Sequence, residues 1–73
     1  MKWIASPEWL TPRHFAIEYA PPADPYPSVG YYLYVYEGNR CTYDYLQDTF
    51  QQAVECAFEE FGVPKEAWIK TAS

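Results

Sequence analysis

Between Cys41 and Pro64 the chain has no lysine or arginine, yet five acids (Asp44, Asp48, Glu55, Glu59 and Glu60) fall in the same stretch. Over the full 73 residues ten acids face five bases, a formal net charge of −5. An acidic surface repels phosphate backbones, so neither nucleic acid nor an anionic membrane is an expected partner. Long hydrophobic runs are missing as well: nothing approaches the roughly 18 apolar residues of a membrane span. Ser6, Pro7 and Glu8 interrupt MKWIASPEWL before it could form the apolar core of a signal peptide. These two absences lead us to expect a cytoplasmic protein. Cysteine is scarce, and Cys41 and Cys56 form no CxxC pair; in the cytosol both should be reduced. The single histidine, His14, has no ligand cluster around it, so no metal and no cofactor are expected. There is no glycine-rich phosphate loop and no Ser/His/Asp or Cys/His spacing, and catalysis is not expected.

What the chain has is aromatic rings, at 21% of residues, within a composition that is 49% hydrophobic. That is too apolar for disorder. A chain of this length makes one domain, residues 1–73, and buries only about 60% of the surface its unfolded form exposes. Large rings suit so small a core, because each removes roughly 150–250 Å² from water.

Ser6–Leu10 (SPEWL) reads as a short helical turn, with Ser6 as N-cap, Pro7 at the first helical position and Pro12 ending it. Arg13–Tyr19 alternates: Phe15, Ile17 and Tyr19 fall on one side and His14, Ala16 and Glu18 on the other, as in a half-buried strand. Residues 20–28 hold four prolines in nine positions. Such a segment cannot join a ladder and should run extended, as a stiff connector or as a recognition segment for an aromatic groove.

Six of the eight tyrosines then fall in residues 30–46, on the two arms of a hairpin turning at Gly38-Asn39. Register decides which of them face the core. A two-residue loop pairs Glu37 with Arg40 and sets Asp44 in an apolar layer with Leu33 and Val35, a costly burial. A three-residue loop, Glu37-Gly38-Asn39, with Asn39 left-handed and a bulge after it, separates the faces better. It turns Tyr31, Leu33, Val35, Cys41, Tyr43 and Tyr45 inward and Tyr32, Tyr34, Tyr36, Arg40, Thr42 and Asp44 outward. The bulged register is the one we expect, although it leaves Leu46 on the outer side.

Asp48–Phe61 predicts a helix. Asp48 with Gln51 has capping-box spacing, and Phe50, Ala53, Val54, Ala57, Phe58 and Phe61 form one apolar stripe. Gly62 and Pro64 close it. Gln52, Glu55, Cys56 and Glu59 lie on the opposite side. Pro64–Trp68 should form a second proline-started turn that brings Trp68 and Ile69 over one end of the core, with Ile69–Thr71 as a short edge strand. The block from Leu33 to Trp68, with its hairpin, Asp-Thr-Phe helix start, Glu-Phe-Gly-Val turn and tryptophan, resembles a family of small uncharacterised bacterial proteins. The resemblance covers about half the chain. It implies a fold and carries no activity and no catalytic residue.

Two features exceed what folding asks for. Glu59 and Glu60 occupy the last helical turn, where the macrodipole disfavours anions by a few tenths of a kcal/mol each; they suit either solvation or a binding patch. Tyr32, Tyr34 and Tyr36 share one face of a strand. Strand propensity accounts for that, and so does an interface, where tyrosine offers broad apolar area with a polar tip. The expected fold is α+β, an antiparallel sheet of three or four strands with one amphipathic helix on one face. The expected function is non-catalytic protein binding through Tyr32, Tyr34, Tyr36 and Asp44 on the sheet and Glu55, Glu59 and Glu60 on the helix. The partner would be a basic protein or a second copy of the chain. Alternatives are an immunity- or antitoxin-like inhibitor of a basic toxin, or a small ligand-binding or enzyme-accessory domain. A concave pocket holding Tyr34, Tyr36 and Asp44 would favour a ligand, and an open tyrosine row a protein surface.

Overall fold

The computed structural model describes residues 1–8, 12–21 and 30–71. Among these residues it is α+β, with five strands and one α-helix. The strands are β1 (Lys2–Ala5), β2 (Arg13–Ala20), β3 (Gly30–Glu37), β4 (Arg40–Gln47) and β5 (Ile69–Lys70), with α1 (Phe50–Phe61) between β4 and β5. They pair antiparallel in the order β4-β3-β2-β1-β5. The sheet is thus wider than the three or four strands expected. The extra strand is β1, whose four residues are too few to show a period in the sequence. It pairs Trp3 with Ile17 and Ala5 with Phe15. At its other edge it receives β5, clamped where the Thr71 amide donates to the Lys2 carbonyl at 2.8 Å. The anticipated edge strand is therefore present, against β1. The expected SPEWL turn runs into residues 9–11, and the proline-rich stretch into 22–29, both outside the described residues.

The hairpin combines the two registers weighed above. Its loop has two residues, since Glu37 pairs with Arg40, and the positive φ belongs to Gly38 (62°), not to Asn39. A left-handed residue at the first of two central positions suits the right-handed twist of the arms. A bulge then interrupts β4: Tyr36 pairs with Cys41 but Val35 with Tyr43, leaving Thr42 as the extra residue. The Thr42 hydroxyl donates to the Val35 carbonyl at 3.2 Å and so occupies an acceptor beside the break. One inserted residue shifts the phase of everything beyond it. Tyr43 and Tyr45 thereby join the Leu33 and Val35 side, and Asp44 goes to the other. The faces expected beyond Thr42 are correct, but the bulge that produces them lies inside the strand. Cys41 precedes it, and so is exposed beside Tyr36 instead of turned inward.

The helix packs on the face carrying Phe15, Ile17, Leu33 and Val35, all fully buried, together with Ala53, Val54, Ala57 and Val63. Trp3 packs tilted against Phe50, with centroids 4.4 Å apart, and Phe61 packs on Phe15 at 5.6 Å. Two helix assignments are corrected. The N-cap is Thr49, whose side chain accepts from the Gln52 amide at 3.1 Å, so Asp48 lies one residue too early to cap. Phe58 is 49% exposed. The i+8 position drifts to the rim of the stripe, and there the ring lies under the Lys65 ammonium at 5.3 Å. Cys56 packs at the edge of the core in its place. Gly62 closes the helix as expected, at φ 74°, with its amide donating to the Phe58 carbonyl at 2.9 Å.

Candidate functional site: the open face of the sheet

No described element covers the second face of the sheet. Side chains paired across strands point the same way, so the register lays this face out in rows. One row runs Asp44–Tyr34–Ala16–Ile4 and continues to Ile69 on β5. A second runs Leu46–Tyr32–Glu18–Lys2, and a third Cys41–Tyr36–His14. The tyrosines stand in a continuous file along β3, with Tyr32 stacked on Tyr34 at 5.7 Å and Tyr34 tilted against Tyr36 at 6.2 Å. His14 stacks flat on Tyr36 at 5.0 Å. The rings are half-buried, because they also shelter one another and the small Ala16 beneath them, which is 2% exposed. Around them stand Ile4, Leu46 and Ile69, half of the six large apolar side chains that remain exposed among the described residues.

The charges on this face are mostly negative. Glu18 and Asp44 lie on the strands to either side of β3, and neither makes an ion pair among the described residues. Lys2 is next to Glu18 in register but does not come within salt-bridge distance of it. The negative field is felt at the phenols. Tyr34 is held above its ordinary value of 10.0, first by desolvation and then by Glu18, the neighbouring tyrosines and Asp44. Tyr36 is raised by desolvation, Cys41 and Glu18.

The helix acids are elsewhere. Glu55, Glu59 and Glu60 border a recess of about 240 Å³, with Gln47, Gln52 and Cys56, on the helix side of the sheet. The residues expected to form one surface therefore form two: Tyr32, Tyr34, Tyr36 and Asp44 on the open face, and the three glutamates on the other side. A second recess, lined by Ile4, Ser6, Pro7, Ala67 and Ile69, sits at the β1–β5 edge. Neither recess contains Tyr34, Tyr36 or Asp44.

The groups that could be imagined as reactive are kept apart. Tyr36 stands between Cys41 and His14 in their shared row, so the thiol and the imidazole belong to strands about 10 Å apart. Cys56 is pushed up by burial and by Glu60 and Glu59, which makes it a poor nucleophile. Asp44 and Asp48 are four residues apart, about 13 Å along extended chain, too far to share a proton. No group of three or more His, Cys, Asp or Glu among the described residues is placed to hold a metal ion.

Sequence reasoning overlooked Ile4, Ile69 and Glu18 as part of this face. Glu18 was visible as a member of the outward set of β2, but only pairing with β3 sets it beside Tyr32. No family model, no curated protein and no solved structure matches the chain. The resemblance drawn from residues 33–68 thus rests on those residues alone.

Proposed function

We propose that this domain is a non-catalytic protein-binding module whose contact surface is the open, tyrosine-bearing face of the sheet. The observation that carries the reading is coincidence in space: the β3 tyrosine file shares one face with Ile4, Leu46 and Ile69, while α1 covers the other. Folding by itself asks for apolar residues on the covered face and polar ones on the open face. Contiguous exposed apolar surface rimmed by polar groups is what interaction sites present. Tyrosine fits such a surface, since it loses little rotamer entropy on contact.

The test replaces Tyr34 and Tyr36 together by threonine, which keeps strand propensity. Sedimentation equilibrium over a range of concentrations reads self-association, and affinity capture from the native host reads a foreign partner. The double variant should lose whichever association the parent shows, while Gln52→Ala on the helix retains it. If the double variant keeps every association of the parent, the open face is not the contact surface.

A further inference from the structure

The file of rings on β3 is bordered on both sides by carboxylates that form no ion pair among the described residues, and this arrangement selects a partner chemistry. Asp44 faces Tyr34 directly from β4. Glu18 faces Tyr32 from β2, two residues along the ladder from Tyr34. Strand spacing of about 4.8 Å and a rise of about 3.4 Å per residue put their Cα atoms roughly 12 Å apart on a diagonal that crosses the Tyr32–Tyr34 pair. Tyr32 and Tyr34 are nearly parallel, 16° apart, and stack on one another along the strand. The two carboxylates have no ion-pair partner among the described residues, and the raised Tyr34 phenol is consistent with a negative field there.

A neutral apolar partner would strand both carboxylates as it dried the face, at a cost that rises with burial. A second copy of this chain, laid with Tyr34 against Tyr34, would bring like charges together in a molecule already at −5. A cation removes both difficulties. Among cations, arginine matches the site on two counts: its planar guanidinium stacks on aromatic faces, and its fork of N–H groups meets a carboxylate with two bonds. Lysine brings the charge without the plane.

We infer that the open face binds an extended, arginine-bearing segment of a partner protein, with guanidinium groups stacked on Tyr32 and Tyr34 and paired to Asp44 and Glu18. This rests on the protein-binding reading given above and specifies its partner. Residues i and i+4 of an extended segment lie on one side, about 13–14 Å apart, close to the diagonal between the carboxylates. Two arginines at that spacing should therefore engage both acids at once.

The probe is the capped peptide Gly-Arg-Gly-Ser-Gly-Arg-Gly, titrated into the full, isotope-labelled chain and followed by amide chemical shifts. Shifts should centre on residues 16–18, 32–36 and 44. Replacing both arginines by citrulline, which keeps the shape and removes the charge, should weaken binding at least tenfold, and lysine should weaken it several-fold. Asp44→Asn and Glu18→Gln should each weaken the arginine peptide several-fold, whereas Glu59→Gln on the helix should leave it unchanged. A melt on each variant establishes that it is folded. The inference is overturned if the citrulline peptide binds equally well, if Asp44→Asn and Glu18→Gln have no effect, or if the shifts centre on Glu55, Glu59 and Glu60. Equal binding of the citrulline peptide that is still lost in the Tyr34→Thr/Tyr36→Thr variant would remove the arginine and leave the tyrosine face standing. Loss of neither peptide in that variant would remove both.

Discussion

The two faces of β3 differ by one step along the chain. Leu33 and Val35 point under the helix and are fully buried; Tyr32, Tyr34 and Tyr36, interleaved with them, point to the face no described element covers. On the covered side, residue identity follows from packing: two branched aliphatics fit between Phe15, Ile17 and the small Ala53 and Ala57 of α1. On the open side, packing needs little more than strand formers, yet three large rings are present with Ile4 and Leu46 beside them. A fold accounts for the first face. The second is the surface on which the proposed partner would sit.

The sharpest way to break that contrast is to truncate each face in turn. Phe15→Ala removes a fully buried ring and should cost about 3–5 kcal/mol, a large share of the roughly 4–11 kcal/mol available to a domain of this size. Chemical denaturation should find its midpoint far below the parent's. Phe58→Ala, at the rim of the helix, should cost less than about 1 kcal/mol in the same assay, since the ring is already half in water. Equal losses at the two positions would mean that the helix is rotated from the orientation described.

The asymmetry between faces depends on α1 staying in place, and its first turn offers a smaller test. Thr49→Ala should cost about 1 kcal/mol because the Gln52 amide loses its acceptor, and a melt should move down by about 4–8 °C. Asp48→Ala should move it by much less. Reversed effects would return the cap to Asp48.

The smallest effect belongs to the open face and shows only in alkali. The folded state holds Tyr34 above its ordinary 10.0, so it favours the neutral phenol. That contribution is intact below pH 10.0 and is lost as pH climbs from there through the raised folded value. Tyr34→Phe should therefore leave stability at neutral pH nearly unchanged and flatten the alkaline decline. The check is a series of melts between neutral and strongly alkaline pH. A variant whose alkaline decline matches the parent's would show that the folded state does not hold the Tyr34 phenol above its ordinary value.

Much of this contrast is legible in the sequence, and the parts that are not share a cause. Alternation in Arg13–Tyr19 and in the tyrosine arms shows two-faced strands, and Phe50, Ala53, Val54 and Ala57 show which side of the helix is apolar. Gly62 marks the end of the helix because a left-handed closing residue is local chemistry. β1 was hidden, since four residues carry no period and its partners lie 10 to 16 positions away in β2 or at the far end of the chain. The bulge at Thr42 was half visible: burying Asp44 is costly, which demands a change of phase somewhere after the turn, but where the extra residue sits depends on backbone bonding that side-chain patterns do not encode. For the same reason Cys41 came out on the opposite face. The separation of the tyrosines from Glu55, Glu59 and Glu60 is likewise a tertiary fact, because charge and rings that are near in sequence end on opposite sides of one sheet.

The central claim, that the fold does not require the open-face rings, is tested most directly by the thermal melt of the Tyr34→Thr/Tyr36→Thr double variant, run beside Leu33→Ala. The account predicts a cooperative melt lowered by roughly 4–16 °C for the double variant, about 1–2 kcal/mol of cross-strand aromatic contact, and severe destabilisation for Leu33→Ala. A double variant that fails to fold would place the tyrosines in the core and contradict the account.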